Sequence, residues 1–248
     1  MAVVEKTIDI LGDETLSAFI ISRQVPEGNP VDFYDEVVRT LKNYALRGLS
    51  GVQSFNFPFV TTVGAWALAS CPDLVNVTLP QCTSFSGNGA LRESPKLENV
   101  DVPLLKTASE YTFANCNKLR SISLPSLTSC GTGIFFGCSK LEVVSMPRLT
   151  ALGTNTFYTC PAIKQIDLPS VKNIYGGQIN GCSSLEVINI GPDIMSISSS
   201  AFQGAPEGLV INLPVAEGVI SGAPWGATNN IIINYDTPYS GSVPIPES

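Results

Sequence analysis

The 248-residue chain contains no histidine. That absence removes imidazole-activated serine or cysteine nucleophiles and histidine metal sites. Carboxylate pairs or a serine–lysine arrangement stay open in principle. Charge is scarce: Asp, Glu, Lys and Arg make up 14% of the chain, with 21 acidic residues against 14 basic ones. Nucleic-acid binding needs clustered Lys and Arg to displace counterions from phosphates, and docking on anionic lipid needs a polybasic segment. Neither is present, so no nucleic-acid partner and no membrane insertion are expected. No apolar run reaches the ~20 residues that span a bilayer. The start, MAVVEKTIDILGDETLSAF, lacks the basic-then-apolar-then-small order of a secretory signal and reads as an unprocessed product. There is no C-x-x-C pair, glycine-rich phosphate loop, calcium-loop spacing or heptad run, so no catalytic residue, metal ligand or cofactor is assigned.

What the chain does contain is a repeat. Pro58, Pro80, Pro103, Pro125, Pro147 and Pro169 succeed one another at steps of 22, 23, 22, 22 and 22, and Gly191 and Pro214 take the next two slots. Nine residues earlier runs a second column: Leu49, Cys71, Ser94, Cys116, Cys138, Cys160, Cys182 and Ala205. The aligned unit reads F-x-x-C-x-x-L-x-x-V-x-L-P-x-L-x-x-I-G. Its V and L positions lie two apart and are rich in β-branched residues (Phe55/Phe57, Val77/Leu79, Val100/Val102, Ile122/Leu124), which marks the inward face of a short strand. Proline removes a donor and turns the chain out of the ladder. Glycines such as Gly64, Gly131 and Gly153 then suit a tight backbone turn.

Each unit supplies about six inward apolar side chains, worth roughly 1.5–3 kcal/mol apiece when buried. Ordering ~22 residues costs a comparable sum, so one coil cannot fold alone and the array is stable by stacking. The period therefore predicts a solenoid of about eight 22-residue coils, mostly short parallel β-strands with turns and an irregular convex side, capped at both ends.

The chain divides into three segments: an N-terminal arm or cap over 1–31, the solenoid over 32–213, and a C-terminal cap strand with an extended tail over 214–248. Residues 13–21 suit a short amphipathic helix, and Pro26, Gly28 and Pro30 break the chain after it. Residues 32–48 resemble a degraded half-coil with Val38 and Leu41 inward, and Ile231 to Tyr235 reads as a final strand. The cysteines are odd in number and inward in position, which favours free thiols acting as small buried hydrophobes.

Two sets of outward residues are candidate contacts. The first is a polar strip along the sheet: Asn56, Asn76, Thr78, Asn99, Asp101, Ser121, Ser123, Gln165, Asp167 and Asn189. Arrayed at coil spacing, such groups could hydrogen-bond the hydroxyls of a glycan; equally, they could keep a solvated sheet face soluble. The second is an aromatic group, Trp66, Tyr111, Phe136 and Tyr158, able to stack on sugars or dock on protein, or to be partly buried.

Stretches such as TFANCNKLRSISLPSLTSCGTGIFFGCSKLEVVSMPRLTALG resemble the BspA-type, or Treponema-type, leucine-rich repeats over residues 44–213, departing where Ser94 and Ala205 replace Cys and where Gly191-Pro192 shifts the proline by one. The resemblance implies a leucine-rich-repeat solenoid, bacterial surface adhesion, or a place in a phage: members include bacterial adhesins and many phage- and prophage-encoded proteins. The segment INLPVAEGVISGAPWGATNNIIINY is similar to the close of such prophage proteins. With the plain N-terminus, the expectation is a non-enzymatic phage tail or surface protein that binds a host cell-surface glycan or protein through the solenoid face. It would join other virion proteins through residues 1–31 or the C-terminal tail. Several copies, as in a homo-oligomer, would add avidity. A structural decoration of the virion and a bacterial cell-surface adhesin are the alternatives.

Overall fold

The computed structural model describes the backbone of residues 31–34 and then residues 38–239. The helix over 13–21, the break at Pro26–Pro30, the attachment role of the N-terminal arm and the extended tail beyond Tyr239 lie outside the described residues.

The chain winds as a parallel β-solenoid of about nine turns, with no helix among the described residues. Coils carry a longer strand on one face and, in most of them, a two-residue strand on another. The longer strands are β1 (Val31–Tyr34), β3 (Val52–Asn56), β5 (Asn76–Thr78), β7 (Asn99–Asp101), β9 (Ser121–Ser123), β11 (Val143–Ser145), β13 (Gln165–Leu168), β15 (Val187–Ile190), β17 (Val210–Asn212) and β18 (Ile232–Asn234). Between them come β2 (Thr40–Leu41), β4 (Thr62–Val63), β6 (Ser84–Phe85), β8 (Thr107–Ala108), β10 (Ser129–Cys130), β12 (Ala151–Leu152), β14 (Asn173–Ile174) and β16 (Ser196–Ile197).

Pairing is parallel throughout and keeps the sequence period. Ser54 faces Asn76, Asn76 faces Asn99, and Val187 faces Val210, steps of 22 or 23 residues. A second set of parallel ladders, of two residues per coil, runs in the orders β10-β8-β6-β4-β2 and β12-β14-β16. Within the expected degraded half-coil at 32–48, β1 pairs with β3 in parallel, with a register irregularity between Val31 and Asp32. The final strand falls where expected, as β18 on β17.

The interior is one apolar column set. The Phe, Cys, Leu and strand positions are buried, apart from a half-buried Val100, and Phe113, Phe135 and Phe157 stack at ring-centroid spacings of 5.6 and 5.9 Å. A further inward column precedes the Phe slot: Ala45, Ala67, Ala90, Thr112, Ile134, Thr156, Gln178 and Ala201 are all buried. Its polar members hid it from a hydrophobic pattern. Thr112 and Thr156 donate to the carbonyls of Ser109 and Gly153, each at 2.7 Å, and Gln178 Nε2 donates to Gly153 and Tyr175 carbonyls at 2.6 and 3.0 Å.

All seven cysteines are free thiols. Those of the column act as more than fillers. Cys138, Cys160 and Cys182 donate to the carbonyls of Phe113, Phe135 and Phe157 in the preceding coil at 3.0, 3.1 and 3.0 Å. Ser94 does the same to Leu68 at 3.4 Å, which explains why serine can replace cysteine there.

Gly64, Gly131 and Gly153 are required for a reason other than the expected tight turn. A Cβ on Gly131 would lie 2.6 Å from Glu110 N, and one on Gly153 would lie 2.5 Å from Gly131 O, so neighbouring coils approach too closely for any side chain. At the C-terminal end Trp225 takes the next Phe slot, fully buried, edge-on to Phe202 at 5.9 Å and donating from Nε1 to Ser221 O at 2.9 Å.

Candidate ligand-binding faces

Alternation along each long strand turns one side chain in and the next out, and stacking aligns the outward ones into a strip. All ten strip residues named from the sequence lie on these strands, and the structure links many of them along the solenoid axis. Asn76 donates to Ser54 Oγ at 3.1 Å, and Asn99 donates to Asn76 Oδ1 at 2.8 Å. Farther along, Gln165 and Asn189 both donate to Asp167, at 3.0 and 2.7 Å to Oδ1. Asn212 donates to Asn189 at 2.7 Å and Asn234 to Asn212 at 2.8 Å. The result is an amide ladder closed by a carboxylate that supplies no donor of its own. Asn234 belongs to it although the sequence pattern did not single it out; its place one rung beyond Asn212 was the available signal.

This self-pairing leaves each linked amide one N–H fewer for a ligand. The ladder is also partly covered. After β18 the chain turns back, with Asp236 N–H bonded to Val215 O at 3.1 Å and Thr237 N–H to Leu213 O at 3.0 Å. Asn189 is only 7% exposed although its side chain points out of the sheet. Burial, and then the charge of Asp167, push the Tyr239 phenol up to about 12. The open part of the strip is therefore its earlier half, where Asn99 and Asp101 are exposed.

The four aromatics fall on a different edge, and there the structure brings them together with residues the sequence reading left out. Trp66 and Tyr111 lie two positions before the Phe slot, as does Tyr44; Phe136 and Tyr158 lie one position after it, as do Arg47 and Arg92. The two columns interleave. The Arg47 guanidinium sits 5.6 Å from the Tyr44 ring and 4.7 Å from Trp66. Arg92 sits 4.9 Å from Trp66 and 5.6 Å from Tyr111. Tyr111 meets Phe136 edge-on at 6.2 Å, and Phe136 stacks on Tyr158 at 5.1 Å.

Tyr44, Trp66 and Tyr111 hold left-handed φ values of 61°, 56° and 55°, in the slot that Gly89 and Gly133 occupy in other coils. A side chain in that region costs roughly 1–2 kcal/mol. The rings regain contact by lying over the bare glycine of the next coil: Trp66 over Gly89 and Tyr111 over Gly133, where a Cβ would come within 3.4 and 2.6 Å of the ring atoms. The Arg92 charge is also held by Glu93 at 3.0 Å. Trp66 thus has guanidinium groups against it from the coils on both sides, and the ladder offers ring edges more than open ring faces.

The family model described as BspA type leucine-rich repeat region matches in six copies, over residues 31–126 and 106–214. Among solved structures, the leucine-rich repeat protein of T. pallidum is 22% identical, with 79% of this chain and 91% of that one covered and a TM-score of 0.55. A leucine-rich cell surface protein of Faecalibacterium prausnitzii is 20% identical over 86% of this chain and 60% of that one, with a TM-score of 0.45. The pneumococcal vaccine antigen PcpA is 14% identical over 83% of this chain and 79% of that one, with a TM-score of 0.41. No curated protein matches. At these identities the T. pallidum likeness concerns the fold.

Proposed function

The chain belongs to the BspA-type leucine-rich repeat family, and we propose that it is a non-enzymatic binding protein displayed on a biological surface, where it recognises a host cell-surface glycan or protein. The observation that carries this reading is the rigid polar strip. Successive rungs at about 4.8 Å spacing present amides, hydroxyls and two carboxylates in fixed register over roughly 38 Å. Such an array matches an extended ligand, and weak contacts repeated along it add up. The open half of the strip, around Asn99, Asp101, Ser121 and Ser123, is the part available for that contact.

The similarity of the closing segment to prophage-encoded members favours a virion component, in the tail or on the capsid surface. Display on a bacterial cell surface is the second reading, favoured by the adhesins within the family. Purified phage particles and surface-shaved intact cells, each analysed by mass spectrometry, separate the two. The binding role is tested with labelled full chain on host cells: Asn99→Ala/Asp101→Ala/Ser121→Ala/Ser123→Ala should lower adsorption at least several-fold while leaving the thermal melt intact. Unchanged adsorption would leave a decorative role as the better account.

A further inference from the structure

The first coils are neutral in a protein of net charge −7: residues 31–72 carry Asp32, Asp35 and Glu36 against Arg39, Lys42 and Arg47. A recess of about 270 Å³ opens in this region, away from the polar strip, lined among others by Thr40, Lys42, Asn43, Thr62, Gly64 and Ser86. Its floor is bare because Gly64 lies against the coil before it, where a Cβ would come 2.5 Å from Asn43 Oδ1.

The polar groups here differ from the linked amides of the strip in having their donors free. The side chains of Lys42, Thr40 and Thr62 have no hydrogen-bond or ion-pair partner among the described residues. Asn43 accepts from Ala65 N–H at 2.8 Å through Oδ1 and leaves its amide N–H groups available. Ser86 donates to Val63 O at 3.3 Å and keeps its lone pairs. Farther along the same column as Thr62, by contrast, Thr107 and Ser84 pair with each other at 2.9 Å. One ammonium, two hydroxyls and an amide therefore belong to the residues lining this recess.

We propose that this recess is a subsite for a carboxylated sugar unit, a hexuronate, of an acidic polysaccharide. Lys42 takes the carboxylate, and Thr40, Thr62 and Asn43 take ring hydroxyls. One ammonium matches one carboxylate, and this neutral stretch repels an anion less than the rest of an acidic molecule does. The assignment rests on the reading of the chain as a surface glycan binder, but it uses a site distinct from the strip.

The test is isothermal titration of the full chain with a hexauronide, beside a neutral glucose hexasaccharide. The hexauronide should bind, more weakly as salt rises, and the neutral sugar should not. Lys42→Gln, at an exposed position, should weaken binding about 10–100-fold, the loss of one charge-assisted hydrogen bond. Thr62→Val should weaken it with the melt unchanged, and Asn99→Ala/Asp101→Ala should leave it as it was. Equal binding of the neutral sugar, no binding of the hexauronide, or an unaffected Lys42→Gln variant would overturn the subsite. Loss of cell adsorption in the strip variant with hexauronide binding intact would support two independent sites.

Discussion

Raising the pH should unfold this protein through its thiols. Burial in the apolar interior holds Cys71 and Cys82 up at about 11 and Cys116 and Cys182 at about 12, and pushes Cys138 and Cys160 higher still, with neighbouring column thiols adding to the effect on both. In the unfolded chain a thiol titrates near its ordinary value of 9.0. Below that value both states bind the proton and stability is at its full level. Between it and the folded values the unfolded chain releases protons that the folded one keeps, so stability falls as pH rises.

At pH 10 each of these six thiols removes about 1.4 kcal/mol, roughly 8 kcal/mol in all, comparable to the whole stability of an ordinary domain. Urea unfolding followed by circular dichroism from pH 7 to 10.5, under reducing conditions, measures the slope. Cys116→Ser/Cys138→Ser/Cys160→Ser/Cys182→Ser is the control. Ser94 shows that a hydroxyl can fill the slot and bond the same carbonyl column, and serine does not ionise, so the variant should lose most of the alkaline slope. Lysine and tyrosine titration is common to both proteins and cancels in the comparison. If parent and variant lose stability in parallel above pH 9, the thiols do not sit in a closed, dry column and the packing argument fails.

Packing sets two further outcomes. Trp225→Ala should cost about 3–5 kcal/mol by emptying the last Phe slot, read as a lower melting temperature with amide exchange rising first in the final two coils. Gly131→Ala should cost roughly 1–3 kcal/mol because its Cβ must displace the Glu110 backbone. Gly153→Ala should behave alike one coil on, where the new Cβ meets the Gly131 carbonyl. A Gly131→Ala melt within about half a degree of the parent would show that the coils can separate there.

How much of this was legible in the sequence depends on which force sets each position. Hydrophobic burial repeats with the coil, so the Phe, Cys, Leu and strand columns could be read directly, and with them the parallel stacking and the final strand at Ile232–Asn234. The inward column ahead of the Phe slot escaped because Thr112, Thr156 and Gln178 are buried through hydrogen bonds to local carbonyls, which a hydrophobic pattern does not register. The second ladder escaped for a similar reason: two residues per coil are too few to show alternation.

The candidate faces were half legible. Outward polar residues every 22 positions announced the strip, but not that its amides would bond one another, since that depends on rotamers across coils. The pairing changes where binding should be sought. A strip whose Asn side chains already donate along the axis presents a satisfied surface through its later half, under the returning residues 236–239. At the other end the side chains of Lys42, Thr40 and Thr62, which line the recess, have no internal partner among the described residues. Desolvating a donor that has no internal partner is favourable only when a ligand supplies the acceptor. Selectivity for an oxygen-rich, anionic unit should therefore reside in the recess at the first coils, separately from what binds along the strip.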